Sequence, residues 1–129
     1  PYLEEKLKSA FEKGDSQKII VYIQALGNTA HPRLLKTFEP YLEGKKSASR
    51  FQRLLMVASL YQMTRVHPTT ARAVLYRIYK NPGEAPELRV AALHLLANTN
   101  PPAAMLQRIA QQTNWEQSKQ VISGTQSFI

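Results

Sequence analysis

The three histidines are the first residues to test for chemistry, because a neutral imidazole can serve as a general base or as a metal ligand. His31, His67 and His94 are isolated, with no second ligand-type residue at a metal-binding spacing. His31 and His67 each precede a proline, which predicts an extended turn residue at a helix start. His94 stands in an apolar run, which favours a hydrogen-bonded position in the core or a groove. We therefore predict no catalytic residue and no metal site.

Acidic pairs and phosphate-binding motifs add no stronger signal for catalysis. Glu4 and Glu5 stand near the start of an amphipathic helix, where acids suit the positive end of the helix dipole, and this is typical of a solvated face. Gly44 and Lys45 lack the upstream glycine and the downstream Ser or Thr of a phosphate-binding loop. The sequence thus favours a protein that is not an enzyme, and no cofactor is expected.

Aromatic residues in the middle of the chain permit two interpretations. Tyr61, Tyr76 and Tyr79 stand close to arginines and could stack on nucleic-acid bases. Tyr61 and Tyr79 also lie on or beside apolar stripes, which favours packing with the hydroxyl at the edge of the core. Trp115 precedes the last predicted helix, and we expect it to fill a pocket and anchor that turn. Contact with a lipid or another ligand is the alternative for Trp115.

Positive charge is concentrated in one part of the sequence. The formal net charge is +8, yet residues 1–43 and residues 84–129 each hold equal numbers of acids and bases. The whole excess lies between them, in residues 45–80, which we call the basic segment. It contains no Asp or Glu and eight cations: Lys45, Lys46, Arg50, Arg53, Arg65, Arg72, Arg77 and Lys80.

Three interpretations of the basic segment stay open on the sequence alone. Within a larger protein, it could face acidic groups of a neighbouring domain. It could instead bind a polyanion, such as anionic lipid heads or sulfated sugars, through salt-dependent contacts, with nucleic acid the disfavoured member of that class. The third interpretation is an ordinary solvated face.

The elements that must position these residues are all predicted to be helices. The chain has 129 residues, 43% of them hydrophobic, which suffices for one core, and it contains no cysteine and no long uncharged apolar run. Apolar residues recur at helical spacing, and glycine or proline marks most boundaries. We predict about four helical hairpins without strands. Their turns are expected near Gly14, His31, Gly44, His67, Pro82, Pro101 and Trp115.

Particular helices carry more detailed expectations. The second helix is predicted to end at Gly27, and a longer one is predicted from about Ser49 to Arg65. The helix that Pro86 opens is apolar nearly all round, so we expect it to be the most buried element. The last helix, from about Glu116, should present one face made of Val121, Ile122, Thr125 and Phe128.

Helix-opening prolines recur at a nearly constant interval. His31-Pro32, His67-Pro68 and Pro101-Pro102 place these prolines 36 and 34 residues apart. A period in the mid-thirties is typical of stacked helical hairpins, in which each pair buries one face on the previous pair. We expect residues 1–129 to be a single fragment of such a domain. The expectation rests on a start without Met inside a predicted helix and an apolar end at Phe128 and Ile129.

Several motifs of the sequence occur in a fixed order. A Leu-Gly-Asn turn, a Glu-Pro-Tyr-Leu-Glu-Gly helix end and an Asn-Pro-Pro helix start follow one another. They stand in stretches that span most of the chain, from residue 22 to residue 108: Tyr22–Asn28, His31–Gly44, Arg89–Ala92 and Asn100–Arg108. This combination resembles the helical domain of one specific family, the vitellogenins and related large lipid transfer proteins, and the insect-type vitellogenins in particular.

The resemblance implies an all-α fold, a right-handed α-α superhelix that braces the β-sheets of a lipid cavity. It implies a structural segment of a secreted yolk-storage and lipid-transport lipoprotein, whose partners are the other domains of the parent and, indirectly, lipid. No catalytic residue is implied. The alternative hypothesis is a free-standing helical-repeat adaptor that binds acidic peptide, anionic lipid or nucleic acid through the basic segment. The length of the intact parent protein discriminates the two, because an adaptor would be complete near this size and a vitellogenin would be roughly ten times longer.

Overall fold

A computed structural model describes residues 2–128, apart from the side chain of Phe128, and every regular element in that range is helical. The proposed place of Phe128 on the last apolar face therefore lies outside the described side chains. The elements are α1 Tyr2–Lys13, α2 Ser16–Thr29, α3 Arg33–Leu42, α4 Arg50–Ala58, α5 Tyr61–Val66, α6 Pro68–Lys80, α7 Pro86–Leu96, a 3₁₀ turn Ala97–Thr99, α8 Ala103–Gln112 and α9 Lys119–Phe128. The prediction of an all-α chain is confirmed.

The helix boundaries lie at the glycine, proline and capping residues of the sequence. Gly14 and Gly44 adopt left-handed backbone conformations (φ +66° and +80°), which glycine tolerates without a Cβ clash. The Asp15 carboxylate accepts a 3.2 Å hydrogen bond from the Lys18 amide and caps α2. Pro68 occupies the first position of α6, where its missing N–H costs nothing. These local rules explain why the turns lie where the sequence predicts them.

Two predicted boundaries are wrong. The helix that was expected to end at Gly27 continues to Thr29, and Ala30 closes it with φ +51°. The long helix expected from Ser49 to Arg65 is divided into α4 and α5 by a turn at Ser59 and Leu60. A Cβ on Gly27 would lie 2.7 Å from both the Cβ and the carbonyl oxygen of Ser59. Gly27 is therefore a close-approach site between α2 and this turn, and not a helix stop.

The helix α7 lies at the centre of the fold, as its apolar sequence predicts. It packs against α4, α6 and α9, while α1 packs on α2 and α2 on α4. Leu88, Ala92, Leu93 and Leu96 of α7 are completely buried. One continuous core cluster links residues of α1 to residues of α9. Removing α7 would therefore expose core side chains on three other helices.

Candidate interaction surface

The histidines occupy exposed or turn positions. The Nδ1 atom of His31 accepts a 3.1 Å hydrogen bond from the amide of Arg33, and the backbone of His67 (φ −130°, ψ 65°) leaves the helical region just before Pro68. Both are turn residues, as expected. His94 is exposed, which corrects its predicted place in the core or a groove: α7 turns this one position outward. Within residues 2–128, no group of three His, Cys, Asp or Glu residues could hold a metal ion.

The aromatic residues divide between the core and the surface. Tyr79 is buried, and its hydroxyl lies 3.5 Å from the carbonyl oxygen of Ile109. The hydroxyl is therefore inside the fold, and not at the edge of the core as expected. Burial raises the pKa of Tyr79 above its usual value. Tyr61 is 45% exposed, so it packs only in part. Trp115 is 74% exposed, so the expectation that it fills a pocket is wrong.

Acids that flank the basic segment in sequence pair with it in space. Four ion pairs join the two groups: Lys45 with Glu43 at 3.6 Å, Arg50 with Glu87 at 3.8 Å, Arg77 with Glu39 at 3.9 Å, and Arg53 with Glu84. The first three pairs are solvent-exposed and contribute little to stability. The segment is thus partly neutralised within the same chain, a result that counting charges along the sequence does not foresee.

Two arginines of the basic segment hold helices together. The Arg53 guanidinium reaches the largely buried carboxylate of Glu84, just before α7. The Nη2 atom of Arg72 donates a 2.6 Å hydrogen bond to the carbonyl of Thr99, and its Nε atom lies 3.3 Å from the Thr99 hydroxyl. Arg72 therefore satisfies a carbonyl at the end of the 3₁₀ turn, where Asn100 has a left-handed backbone (φ +52°). Neither guanidinium is free to meet a partner without breaking a contact.

The remaining cations of the basic segment are Lys46, Arg65 and Lys80. The Lys46 ammonium lies 5.7 Å from the centre of the Tyr41 ring, and the Lys80 ammonium lies 5.4 Å from that of Tyr76. Arg65 is exposed, and no acid among residues 2–128 lies within ion-pair distance of it. These three side chains, with the weakly paired Lys45, Arg50 and Arg77, are the part of the segment open to an external anion.

The most buried ion pair of residues 2–128 involves Arg89, a residue that sequence reasoning did not single out. Arg89 of α7 is 3% exposed, and both of its terminal nitrogens donate hydrogen bonds to the Glu116 carboxylate, at 2.8 and 2.5 Å. Its Nε atom donates a 2.8 Å hydrogen bond to the carbonyl of Tyr79 at the end of α6. The hydrogen bonds from Arg89 hold the pKa of Glu116 below its usual value, against the opposing effect of burial. One side chain thus ties α6, α7 and the α8–α9 loop together.

An open cleft of about 670 Å³ lies beside this ion pair. Its walls come from the turn between α6 and α7 and from the α8–α9 loop. The lining residues are Lys80, Pro82, Glu84, Pro86, Arg89, Gln112, Trp115, Glu116, Gln117 and Ser118, and we call it the Trp115 cleft. The volume lies within the range of ligand-binding clefts, about 300 to 1,000 Å³.

Comparison with known proteins places the chain among large relatives. The family model described as the vitellogenin TPR domain matches residues 1–129. The chain is 46% identical over 129 residues to vitellogenin of Anthonomus grandis, covering all of this chain and 7% of that protein. It is 50% identical over 123 residues to vitellogenin-1 of Solenopsis invicta, covering 95% of this chain and 8% of that protein. No solved structure matches the chain.

Proposed function

This chain belongs to the vitellogenin family, and from that premise we propose that it is a structural scaffold segment of a secreted lipid-transport and yolk-storage lipoprotein. The observation that carries the proposal is the way its helices use their apolar faces. The large side chains of the core cluster face one another across α1 to α9, so the apolar faces of the helices are used in packing against other helices. The segment acts as a packed structural support, and other domains of the parent protein bind the lipid.

The length of the relatives bears on the alternative hypothesis of a free-standing adaptor. The chain spans less than a tenth of each of the two vitellogenins compared above. An adaptor complete near 129 residues would have relatives of similar size, so that hypothesis is not supported. The proposed partners are accordingly the other domains of the parent polypeptide. Within residues 2–128, no helix is both long and apolar enough to cross a membrane.

Lipid load of the parent protein tests the scaffold proposal. Leu93 is completely buried at the centre of α7, whereas Ala104 is exposed on α8. In the intact vitellogenin, Leu93→Asp buries an unpaired charge and should reduce the amount of secreted, lipid-loaded protein. Ala104→Asp adds the same charge at the surface and should leave lipid load and secretion unchanged. Normal lipid per mole of secreted Leu93→Asp protein would contradict a bracing role.

We further propose that the available cations of the basic segment face acidic groups of a neighbouring domain. The support is that Lys45, Lys46 and Arg65 are exposed and at most weakly paired, as electrostatic complementarity between domains requires. The buried or paired arginines Arg53 and Arg72 instead hold the fold. An isolated polyanion surface is the competing interpretation of the same charges.

Binding of the 129-residue chain to heparin and to anionic vesicles separates these interpretations. The variant Lys45→Gln/Lys46→Gln/Arg65→Gln removes three exposed charges of the basic segment, and Lys6→Gln/Lys8→Gln/Lys13→Gln removes three exposed charges of α1. A basic segment that faces acidic groups of a neighbouring domain predicts that both variants bind heparin equally weakly. A selective loss in the first variant, with a steep dependence on salt, would instead establish a polyanion site.

A further inference from the structure

The Trp115 cleft combines features that the scaffold role does not use. Trp115 leaves three quarters of its surface in solvent, although tryptophan is among the residues most enriched in protein interfaces. Pro82 and Pro86 line the same cleft, together with the exposed amide side chain of Gln117. A concave wall of aromatic, proline and amide groups is suited to a polypeptide segment, which presents both apolar side chains and backbone polar groups.

The cations beside the cleft lack carboxylate partners. Lys80 lines the cleft, and its ammonium lies over the Tyr76 ring; the guanidinium of Arg108 lies 5.9 Å from the centre of that ring. Within residues 2–128, neither cation forms an ion pair. The carboxylates that do line the cleft, Glu84 and Glu116, are already held by arginines.

The α8–α9 loop that carries Trp115 is held by hydrogen bonds at the neighbouring residue Glu116. The two-pronged contact between Arg89 and Glu116, with the hydrogen bond to the Tyr79 carbonyl, fixes the α8–α9 loop against the end of α6. The amide of Ser118 also donates a 3.1 Å hydrogen bond to Glu116. A loop held at several points presents Trp115 with little further loss of conformational freedom on binding.

We propose that the Trp115 cleft docks an acidic segment of the same vitellogenin polypeptide from outside residues 1–129, with Lys80 and Arg108 meeting its carboxylates and Trp115 covering its apolar side chains. The inference rests on the proposed role within a larger protein. Two observations favour this occupant: the unpaired cations beside the cleft, and relatives in which more than nine tenths of the polypeptide lies outside the matched region. A lipid surface fits less well, because interfacial anchors present their apolar side chains outward and Trp115 lines a concavity.

Zero-length cross-linking of the intact vitellogenin tests the occupant. A carbodiimide joins a lysine amine to a carboxylate in direct contact, and mass spectrometry identifies the two residues. The proposal expects an amide between Lys80 and an Asp or Glu outside residues 1–129. Mixing isotopically heavy and light protein before the reaction shows whether both residues belong to one polypeptide. Cross-links of Lys80 only within residues 1–129, or only between heavy and light chains, would overturn it.

Oxidative footprinting of Trp115 provides the second readout. In the intact protein, hydroxyl radicals should oxidise Trp115 slowly, despite its exposure within this domain. Lys80→Gln/Arg108→Gln should abolish the protection, and the matched charge change Lys8→Gln/Lys36→Gln, at exposed positions on α1 and α3, should retain it. Fast oxidation of Trp115 in the unmodified protein would overturn the proposal, and so would protection that disappears on delipidation alone.

The lipid content of the same preparations separates this inference from the proposed function. A parent protein that carries lipid but yields no Lys80 cross-link would refute the cleft and leave the scaffold role intact. A parent protein without lipid would contradict the scaffold role whatever the cross-link shows.

Discussion

Arg89 is buried, and each of its three guanidinium nitrogens donates a hydrogen bond. Its contacts reach the end of α6 and the α8–α9 loop, two points that no apolar contact of α7 alone would fix together. Breaking a buried ion pair by removing one partner leaves the other charge unpaired in a medium of low polarity. The contribution of Arg89 to stability should therefore be visible in a single substitution.

We predict that Arg89→Ala lowers the free energy of unfolding by about 3 to 5 kcal/mol, since Glu116 and the Tyr79 carbonyl both lose their donors. Urea denaturation of the 129-residue chain measures this. The control is Arg77→Ala, whose pair with Glu39 is exposed and should contribute no more than about 1 kcal/mol. Equal losses in both variants would show that the buried geometry confers no special stability.

The same pair predicts a dependence of stability on pH. The folded-state pKa of Glu116 lies below the usual pKa of a glutamate, so its contribution to stability is present above that usual pKa. It is lost as the pH falls through the lower, folded-state pKa. Glu116→Gln should therefore be less stable than the parent chain at pH 7, and the difference should shrink in acid. Urea denaturation at a series of pH values tests this, and a difference that grows in acid would contradict the assigned direction.

At the scale of elements, two helical glycines differ in what surrounds them. Gly27→Ala places a Cβ 2.7 Å from the Ser59 backbone and should destabilise the fold by about 1 to 3 kcal/mol, because α2 must move away from the turn between α4 and α5. Gly124→Ala in α9 meets Val90 at 3.5 Å, an ordinary contact, and should be neutral or stabilising by up to about 1 kcal/mol. Thermal unfolding compares the two, and equal effects would refute the close-approach interpretation of Gly27.

At this scale, the sequence predicts well those helix boundaries that depend on local backbone preferences. Turns at Gly14 and Gly44 and the start of α6 at Pro68 follow from backbone conformations that each residue type prefers. Gly27 misleads, because a glycine that permits close packing and a glycine that ends a helix look alike in sequence. The turn at Ser59 lies against Gly27 of α2, a contact between distant segments that no single-segment pattern contains.

The candidate site was less predictable for the same reason. Arg89 stands in an apolar helix as a lone charge, and its partner Glu116 lies 27 residues away in a loop. The identity of that partner depends on how α7 and the α8–α9 loop are brought together, which is a property of the tertiary fold. Trp115 shows the converse, since its large apolar ring predicts burial and the fold leaves it exposed.

At the scale of the whole molecule, positive charge is partly dispersed over the fold, whereas apolar surface is concentrated in one core. Ion pairs join residues that are distant in sequence, so positive charge that is concentrated along the chain is partly dispersed in the fold. Apolar surface is concentrated in one core that extends from α1 to α9. Large apolar side chains that remain exposed are spread over α1, α2, α4, α5, α8 and the α8–α9 loop: Tyr2, Val21, Phe51, Tyr61, Val66, Leu106 and Trp115. Isolated exposed side chains of this kind are ordinary for a folded domain.

This distribution predicts that the 129-residue chain alone binds neutral lipid poorly. Lipid uptake requires a large continuous apolar surface, and the described helices bury their apolar stripes against one another. Incubation with a triglyceride–phospholipid emulsion followed by flotation should leave the chain in the dense fractions. The scaffold proposal expects the intact parent protein, treated in parallel, to float. Leu93→Asp, which disrupts the core and exposes apolar side chains, should shift part of the short chain upward. Stoichiometric flotation of the unmodified short chain would instead make its helices a lipid-binding site in their own right.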